Sequence, residues 1–322
     1  MKKAVSLFLA VLMLVAIGVS ASAVDLQMSF GGSSSGGMMY YMAGAFADTI
    51  TPLVDGVNIT NVTSGAAVDN AIKTATGEFD LALTYGAIVY EAATGTGNFE
   101  NNQYTDQAQN IKGIAKGYDS DFYFVSLAKS NITSLSDLNG KTVACGNAGS
   151  GTQYVADIVL DVFGIDCKRE YISFSDGAAA MKEGRVDAVC QSGSPSGALT
   201  ELAATDSIVI IPFTEEEIDQ LVAAYPWFFS NYMSKDTYQG MTEDVLLPNF
   251  TVYVICNSNV PDDVMYKIME AIYQPGVIET LGTGHKNWLQ FVEDSEAFES
   301  LGLEIHPGVK SFYADHPEYC AN

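Results

Sequence analysis

The sequence predicts an α/β protein made of two lobes that are joined by two crossover strands. A plan of apolar strand, small-residue loop and amphipathic helix occurs twice, at Met28–Leu53 and at Thr142–Phe163. Short β-rich runs alternate with helical patterns elsewhere, which is typical of a parallel sheet. Two further apolar runs, Phe122–Ala128 and Phe250–Asn257, enclose a middle segment with its own strand–loop–helix series. The middle segment is therefore expected to form a lobe inserted into the first.

Each of the two repeated stretches contains a helix with one apolar face. In the first stretch this face is formed by Met39, Met42, Ala43, Phe46, Ile50 and Leu53. In the second it is formed by Val155, Ile158, Val159 and Val162. The spacing is that of residues lying one above another on a helix that packs against a core.

The loops before these helices have a definite chemistry. Backbone N–H groups in the first helical turn lack intrahelical partners and lie at the positive end of the helix dipole. Glycine lets a ligand approach the backbone, and Ser or Thr hydroxyls add donors. We expect the loops to hold a carboxylate or phosphate through Ser33, Ser34, Ser35 and Gly36 in the first and Gly149, Ser150, Gly151 and Thr152 in the second. GGSSSGG as a flexible linker and AGSGT as an ordinary turn are the alternatives.

Other candidate site residues follow the predicted strands. Strands are expected at Val57–Val62, Phe79–Leu83, Ile111–Tyr118, Thr142–Cys145, Arg169–Ile172 and Val186–Gln191, with helices at Ala66–Thr76 and Pro261–Tyr273. Ligands of parallel sheets bind beyond the carboxyl ends of the strands. The residues at or after such ends are Thr84, Tyr85, Tyr118, Gln191, Ser192 and Pro195.

Aromatic side chains are a second group of candidates. Tyr40, Tyr85, Tyr118, Trp227 and Phe228 could form an apolar wall around the body of a ligand. The alternative for each of them is a place in the core, where most aromatic residues lie. Tyr85 and Tyr118 are favoured by their positions at strand ends, and Trp227 by the proline before it.

The chain begins with the features of a secretory signal peptide. Lys2 and Lys3 precede an apolar segment, and Ala21–Ala23 fits the A-x-A cleavage rule. The apolar segment is short for a membrane span of roughly 20 residues, so a transmembrane anchor is not favoured. We expect cleavage after Ala23 and a periplasmic mature chain. The predicted domains are a signal peptide at 1–23, lobe I at 24–124 plus 254–322, and lobe II at 125–253.

Composition limits the ligand and the partners. The formal net charge of −24 argues against nucleic acid and anionic lipid. Both arginines, Arg169 and Arg185, lie at the strand ends away from the expected cleft, so a guanidinium clamp on a carboxylate is not expected. Three carboxylates, Asp119, Asp121 and Asp176, could meet a ligand ammonium group, although helix caps and turns are their commoner role.

Cysteine, histidine and serine patterns give no sign of an enzyme. Three histidines, His285, His306 and His316, lie near the C-terminus without a G-x-S-x-G elbow, and no Cys/His cluster has metal-ligand spacing. The His306-Pro-Gly sequence is interpreted as an exposed turn. Among five cysteines, Cys145 and Cys190 each end a predicted strand in the same half, so a disulfide between them is possible. No catalytic residue, metal or cofactor is predicted.

Several blocks of the sequence, taken together, resemble a known family. The blocks GGSSSGGMMYY, GEFDLALT, IKGIAKGY, LNGKTVACGNAGSGT, EGRVDAVCQSGSPSGALTELA and EIHPGVKSFY resemble, in order and spacing, the TAXI-type solute-binding proteins of TRAP transporters. The resemblance implies a two-lobed periplasmic binding protein fold, type II-like, that closes on a small solute. Members of this family are associated with glutamate, glutamine and related carboxylic or oxo acids, so the resemblance implies a ligand of this kind.

The expected function combines the site chemistry with this resemblance. We expect a monomeric extracytoplasmic receptor that captures a small, carboxylate-bearing solute by lobe closure and delivers it to TRAP-type membrane permease subunits. The mature chain itself is not expected to insert into the membrane. An alternative uses the same cleft: a ligand-sensing periplasmic protein that presents its closed form to a membrane sensor kinase.

Overall fold

The computed structural model describes residues 26–35 and 37–320. The predicted signal peptide lies outside this range. The strands are β1 (Leu26–Gly31), β2 (Val57–Val62), β3 (Leu81–Tyr85), β4 (Ile111–Leu127), β5 (Thr142–Ala144), β6 (Lys168–Glu170), β7 (Ala188–Ser192), β8 (Ile208–Ile211), β9 (Phe229–Met233) and β10 (Val245–Asn257). The helices are α1 (Met38–Ile50), α2 (Ala67–Thr76), α3 (Gly86–Thr94), α4 (Gly151–Val162), α5 (Phe174–Lys182), α6 (Gly197–Ala203), α7 (Glu215–Ala224), α8 (Asp262–Ile272), α9 (Val277–Gly284), α10 (Ser295–Ser300) and α11 (Pro307–Asp315).

The strands are ordered β2-β1-β3-β10-β4-β7-β5-β6, with β8 on β4 and β9 on β10. In the first lobe β1 runs parallel to β2 and β3, and in the second β5 runs parallel to β6 and β7. The two long strands β4 and β10 are antiparallel to each other and belong to both lobes. The mixed α/β fold with two lobes and two crossover strands is thus confirmed.

Strand β4 is longer than its sequence pattern indicates. The pattern predicts two runs, Ile111–Tyr118 and Phe122–Ala128, but the structure has one strand of 17 residues. Asp119 and Asp121 interrupt the apolar pattern, yet both pair with β10 through its backbone. Directly after Asp121 the strand changes its pairing partner: from Phe122 onward β4 pairs with β7. Polar side chains in the middle of a strand therefore mark the passage between lobes.

The apolar face predicted for α1 is confirmed except at its end. Met39, Met42, Ala43, Phe46 and Ile50 are all buried. Leu53 is 40% exposed, because α1 ends at Ile50 and Pro52 lies in the short 3₁₀ turn that follows. Phe46 packs edge-on against Phe30 of β1, with ring centroids 5.0 Å apart, and this contact anchors α1 to the sheet.

The interpretation of His306 as part of an exposed turn is wrong. Its side chain is fully buried, with Nε2 2.9 Å from the Val260 carbonyl oxygen and Nδ1 accepting from the Gly308 N–H at 3.2 Å. His306 caps the N-terminus of α11 and ties it to the chain before α8. The turn therefore lies at the start of α11, and the imidazole of His306 is buried.

All five cysteines are free thiols, so the disulfide considered between Cys145 and Cys190 is not formed. The two thiols are buried next to each other, Cys145 directly after β5 and Cys190 within β7. Burial raises the pKa of the Cys190 thiol. Across residues 26–35 and 37–320, no helix is both long and apolar enough to cross a bilayer.

Candidate ligand-binding cleft

The carboxyl ends of the parallel strands from both lobes meet at one cleft. Its inner chamber has a volume of about 60 Å³ and is lined by Ser33, Ser34, Gly37, Met38, Met39, Ser64, Gly65, Ala66, Tyr85, Tyr118, Asn147, Ser150, Thr152, Phe174 and Ser192. An outer chamber of about 400 Å³ adjoins it and adds Ser35, Gln191, Gly193, Pro195, Ser196 and His285 among others. The two small-residue loops identified from the sequence therefore share one cavity.

The first loop is fixed by hydrogen bonds that leave its helix start open. Ser33 Oγ accepts from the Tyr40 N–H at 3.2 Å and folds the loop over the first turn of α1. The fully buried Asn70 donates from Nδ2 to the carbonyls of Gly32 and Leu83, both at 2.8 Å. These bonds hold the ends of β1 and β3 together. The first amides of α1, at Met38 and Met39, have no intrahelical acceptor and lie at the chamber wall.

The second loop has the same construction in the other lobe. Ser150 caps α4, and its Oγ accepts from the Gln153 N–H at 3.1 Å. Gly146 and Gly149 have φ values of +86° and +76°, a region that favours glycine and that turns the chain into the cap. The amides of Gly151 and Thr152 remain without intrahelical acceptors.

Two more helix starts reach the inner chamber and are absent from the sequence-based candidates. One is the start of α2, after Ser64–Ala66, where Ala66 has a φ of +75°. The other is the start of α5, where Ser173 caps the helix and Phe174 lines the wall. Both follow the carboxyl end of a parallel strand, so the strand-end rule applied to every strand could have found them. Asn147 was missed because it precedes the AGSGT block, and the sequence-based candidates in this loop began at Gly149.

Tyr85 lies in the inner chamber between the lobes. Burial raises the pKa of its phenol to about 12, while the hydroxyls of Ser192 and Thr152 nearby act in the opposite direction. The phenol is therefore a neutral donor and acceptor at ordinary pH. Ser192 Oγ is itself buried and makes no hydrogen bond of normal geometry within the described residues. Burial also raises the pKa of Tyr118, the other phenol in the chamber.

The lobes touch each other across the cleft. Gly151 packs so closely against Tyr85 and Ala67 that a Cβ there would overlap the Tyr85 ring and lie 2.8 Å from Ala67 Cβ. On the flank of the cleft, the Tyr154 hydroxyl donates to Glu91 Oε1 at 2.8 Å and links α4 to α3. These contacts define a closed arrangement of the two lobes.

Some predicted residues lie apart from the chamber. Thr84 is fully buried and donates to the Ala67 carbonyl at 2.8 Å, and Gly149 shapes the loop without lining the cavity. Tyr40 lies on α1 and lines neither chamber, since its backbone rather than its ring meets Ser33. Gly36 lies outside the described residues.

Trp227 lies in a different cavity. Its ring packs on Phe228, with centroids 3.9 Å apart, and Trp227 lines a pocket of about 650 Å³. We call this cavity the aromatic pocket; its walls include Tyr90, Glu91, Tyr154, Tyr225, Trp227, Phe250 and Tyr253. The segment that carries Trp227 follows α7, which packs on α4 and β10 rather than at the strand ends. The structure therefore separates Trp227 from the polar loops.

The inner chamber contains no Lys, Arg or His side chain in its described lining. Arg169 pairs with Asp157 at 2.8 Å and Asp161 at 2.5 Å, and Arg185 pairs with Glu183, all away from the chamber. His285 lines the outer chamber, and burial lowers its pKa. Both arginines therefore lie outside the described lining of the chamber.

The three aspartates considered for a ligand ammonium group have structural partners. Asp176 accepts from the Ser173 hydroxyl at 2.6 Å, at the start of α5. Asp119 pairs with Lys116 at 2.8 Å. Asp121 accepts from the Ser194 hydroxyl at 2.5 Å and so holds the loop that carries Pro195. Within the described part of the chain, no group of acidic, His or Cys side chains could hold a metal ion.

The fold is that of the two-lobed periplasmic binding proteins. Solved structures with the same architecture include MatC (Rpa3494) from Rhodopseudomonas palustris with bound malate, at a TM-score of 0.52 and 12% identity over 82% of this chain and 89% of that one. XAC2383 from Xanthomonas citri bound to chloride ion has a TM-score of 0.51 and 13% identity, covering 90% of this chain and 99% of that one.

A third structure, a putative L-cystine ABC transporter protein from Listeria monocytogenes, has a TM-score of 0.50 and 15% identity, over 82% and 95% of the two chains. At these identities the similarity is one of fold. The model of the NMT1-like family matches residues 30–316. The chain belongs to the NMT1-like family.

Proposed function

We propose that this protein is an extracytoplasmic solute receptor that captures a small carboxylate-bearing solute between its lobes and delivers it to a TRAP-type membrane permease. The solute classes that fit are glutamate- or glutamine-like amino acids and oxo or dicarboxylic acids. One observation carries the proposal. The starts of four helices, α1 and α2 from one lobe and α4 and α5 from the other, converge on a single hydroxyl-lined chamber.

The physical argument rests on the backbone rather than on charged side chains. Each helix start offers amides without intrahelical acceptors and the positive end of a dipole. Donors from Ser33, Ser150 and Thr152 add to these amides at the chamber wall. An anion is stabilised there without a basic residue, as at other helix N-termini. The ligand roles of Ser34, Ser35, Gly36, Gln191 and Pro195 belong to the same proposal.

Lobe closure is the proposed capture step. A solute that bridges the two sets of helix starts favours the closed arrangement over an open one. Lobe I comprises 24–124 plus 254–322 and lobe II comprises 125–253, with bending near Val125 and Val252. Support comes from β4, which exchanges β10 for β7 at Phe122, and from the register shift next to Val252 in β10. X-ray scattering should give a smaller radius of gyration with solute than without it.

The site residues are tested by a ligand screen. Thermal unfolding is measured with amino acids, dicarboxylates and oxo acids, and a specific solute at 100-fold excess over its Kd should raise the midpoint by roughly 5 °C. In the double variant Ser150→Leu/Thr152→Leu, the leucines fill the inner chamber and should abolish the shift. Thr280→Leu is the matched control, since Thr280 is an exposed helical threonine outside the cleft.

Two results would contradict this function. One is an unchanged shift in the double variant, and the other is stabilisation by organic cations at the cleft instead of carboxylates. Delivery to a permease is tested separately, by solute uptake into vesicles that contain TRAP permease subunits. Export is tested by the N-terminal residue of the mature protein, which we expect to be Val24.

A further inference from the structure

We propose that the aromatic pocket is a second binding site, distinct from the cleft, and that it takes an organic cation such as a quaternary ammonium or a substituted amine. The pocket is about 650 Å³ in volume, larger than either chamber of the cleft. That volume is within the usual range for small-molecule sites.

The first observation is the arrangement of the rings. Tyr154 and Tyr225 lie 6.4 Å and 5.8 Å from Trp227, with interplanar angles of 28° and 58°. Phe250 is almost perpendicular to Trp227 at 80° and 6.3 Å. Tyr90, which is 47% exposed, lies at the rim. Aromatic faces set at several angles around one space are the geometry that binds quaternary ammonium groups, because the face of each ring is electron-rich.

The second observation is a carboxylate without a cationic partner. Glu91 lines the pocket, and its Oε1 accepts from the Tyr154 hydroxyl at 2.8 Å. Its Oε2 accepts from the N–H and the side-chain amide of Asn98, at 3.0 Å and 2.7 Å. All three donors are neutral, and within the described residues no Lys, Arg or His pairs with Glu91 or lines the pocket. The negative charge of Glu91 is therefore oriented but not neutralised.

The neighbouring phenols keep the pocket free of other charge. Burial and the Glu91 carboxylate both raise the pKa of Tyr154. Burial and Asp294, whose Oδ2 accepts from the Tyr253 hydroxyl at 3.3 Å, raise the pKa of Tyr253. Both phenols are thus neutral at physiological pH. Glu91 is therefore the charged side chain of the pocket's described lining, which favours a cation with an apolar body.

The test uses choline as the probe and 3,3-dimethyl-1-butanol as its uncharged isostere. Binding to the full mature chain is followed by calorimetry and by tryptophan fluorescence, which reports on the pocket because one of the two tryptophans is Trp227 and the other, Trp288, is fully buried. We expect saturable one-to-one binding of choline, at least tenfold tighter than that of the isostere. Glu91→Gln and Trp227→Leu should each weaken it at least tenfold.

The controls separate this site from the cleft. Glu100→Gln alters an exposed carboxylate four residues after Thr96 of the pocket wall and should leave choline affinity unchanged. Ser150→Leu/Thr152→Leu should retain saturable choline binding and its preference over the isostere, while abolishing the carboxylate response. Tyr90→Leu, at the exposed rim, replaces the Trp227 variant if that variant does not fold. Equal affinity for the isostere, no effect of Glu91→Gln, no saturable binding, or loss of choline binding in the cleft variant would each overturn the proposal.

Discussion

The cleft and the aromatic pocket are built by the same two lobes but have opposite chemistry. The cleft is lined by helix starts and hydroxyls, and the pocket by ring faces and one carboxylate. The two sites meet at an aromatic contact: Tyr85 lines the inner chamber, and its ring lies 4.4 Å, centroid to centroid, from that of Phe250 in the pocket. A junction between two domains can therefore present donors on one side and electron-rich faces on the other.

The difference shows two ways of making a recognition site. In the cleft the position of the backbone supplies the specificity, because amides at a helix start are oriented by the helix itself. In the pocket the side chains supply the specificity, because the aromatic rings and the carboxylate do not depend on a particular backbone conformation. Both cavities nevertheless take walls from both lobes, so lobe closure should affect both.

The largest effect is expected from Gly151→Val, which tests this shared dependence. The new side chain would overlap the Tyr85 ring and press on Ala67, so the lobes could not close fully. Overpacking of about 1–3 kcal/mol corresponds to a roughly 5- to 150-fold loss of affinity at the cleft, and we expect a weaker loss at the pocket. Calorimetry measures both losses, and scattering should show no compaction with solute.

A matched control is Ala179→Val, since Ala179 is an exposed residue of α5 that lines neither chamber of the cleft. It should keep wild-type compaction and affinity. If Gly151→Val bound solute normally, the close contact of Gly151 with Tyr85 would have no part in capture.

The cleft was predictable from the sequence because its signals are local. A strand, a small-residue loop and a helix start lie within about twenty consecutive residues, so the pattern at Met28–Leu53 fixes the placement of Ser33 and Ser34. The same holds for Ser150 and Thr152. The shared cavity of the two loops was also inferable, since ligands of parallel sheets bind beyond the carboxyl ends of the strands.

The aromatic pocket was not predictable, because its walls come from segments far apart in the chain. Tyr90, Tyr154, Trp227 and Phe250 are brought together only by the packing of α3, α4 and the segment after α7 on β10. From the sequence, the proline before Trp227 suggested a loop facing the cleft, and no periodicity indicated the pocket. The fully buried His306 is a similar case, since a local turn signal does not reveal what covers it.

An intermediate effect is expected from Tyr154→Phe, which tests whether the pocket side of the junction stabilises closure. The substitution removes the hydrogen bond between Tyr154 and Glu91 but keeps the ring. A well-buried hydrogen bond to a charged group contributes about 1.5–3 kcal/mol. Glu91 is partly exposed, so the contribution of this bond is smaller. We expect roughly a 3- to 10-fold loss of solute affinity.

The control for this variant is Tyr171→Phe, which removes a phenol–carboxylate bond to Asp157 within lobe II, at 3.2 Å. It should not change solute affinity, measured by calorimetry under the same conditions. Equal losses in the two variants would mean that the Tyr154 bond acts on the stability of one lobe rather than on closure.

The smallest effect is expected from Asp121→Asn, which tests the ionisation of a buried carboxyl next to the cleft. Burial raises the pKa of Asp121, against the hydrogen bond from Ser194 and the charge of Lys286, which act to lower it. The folded protein therefore holds this proton more tightly than the unfolded chain, whose Asp has a pKa of about 3.9. The contribution to stability is fully present below that value and is lost as the pH rises through the raised, folded-state pKa.

Asparagine keeps an oxygen for Ser194 but does not ionise, so the variant should not lose this contribution. The free energy of unfolding of Asp121→Asn, relative to wild type, should rise with pH across that acidic window, as measured by urea denaturation at a series of pH values. Asp236→Asn, at an exposed site, should show no such trend. A difference that is flat with pH would mean that the pKa of Asp121 is the same in the folded and the unfolded chain.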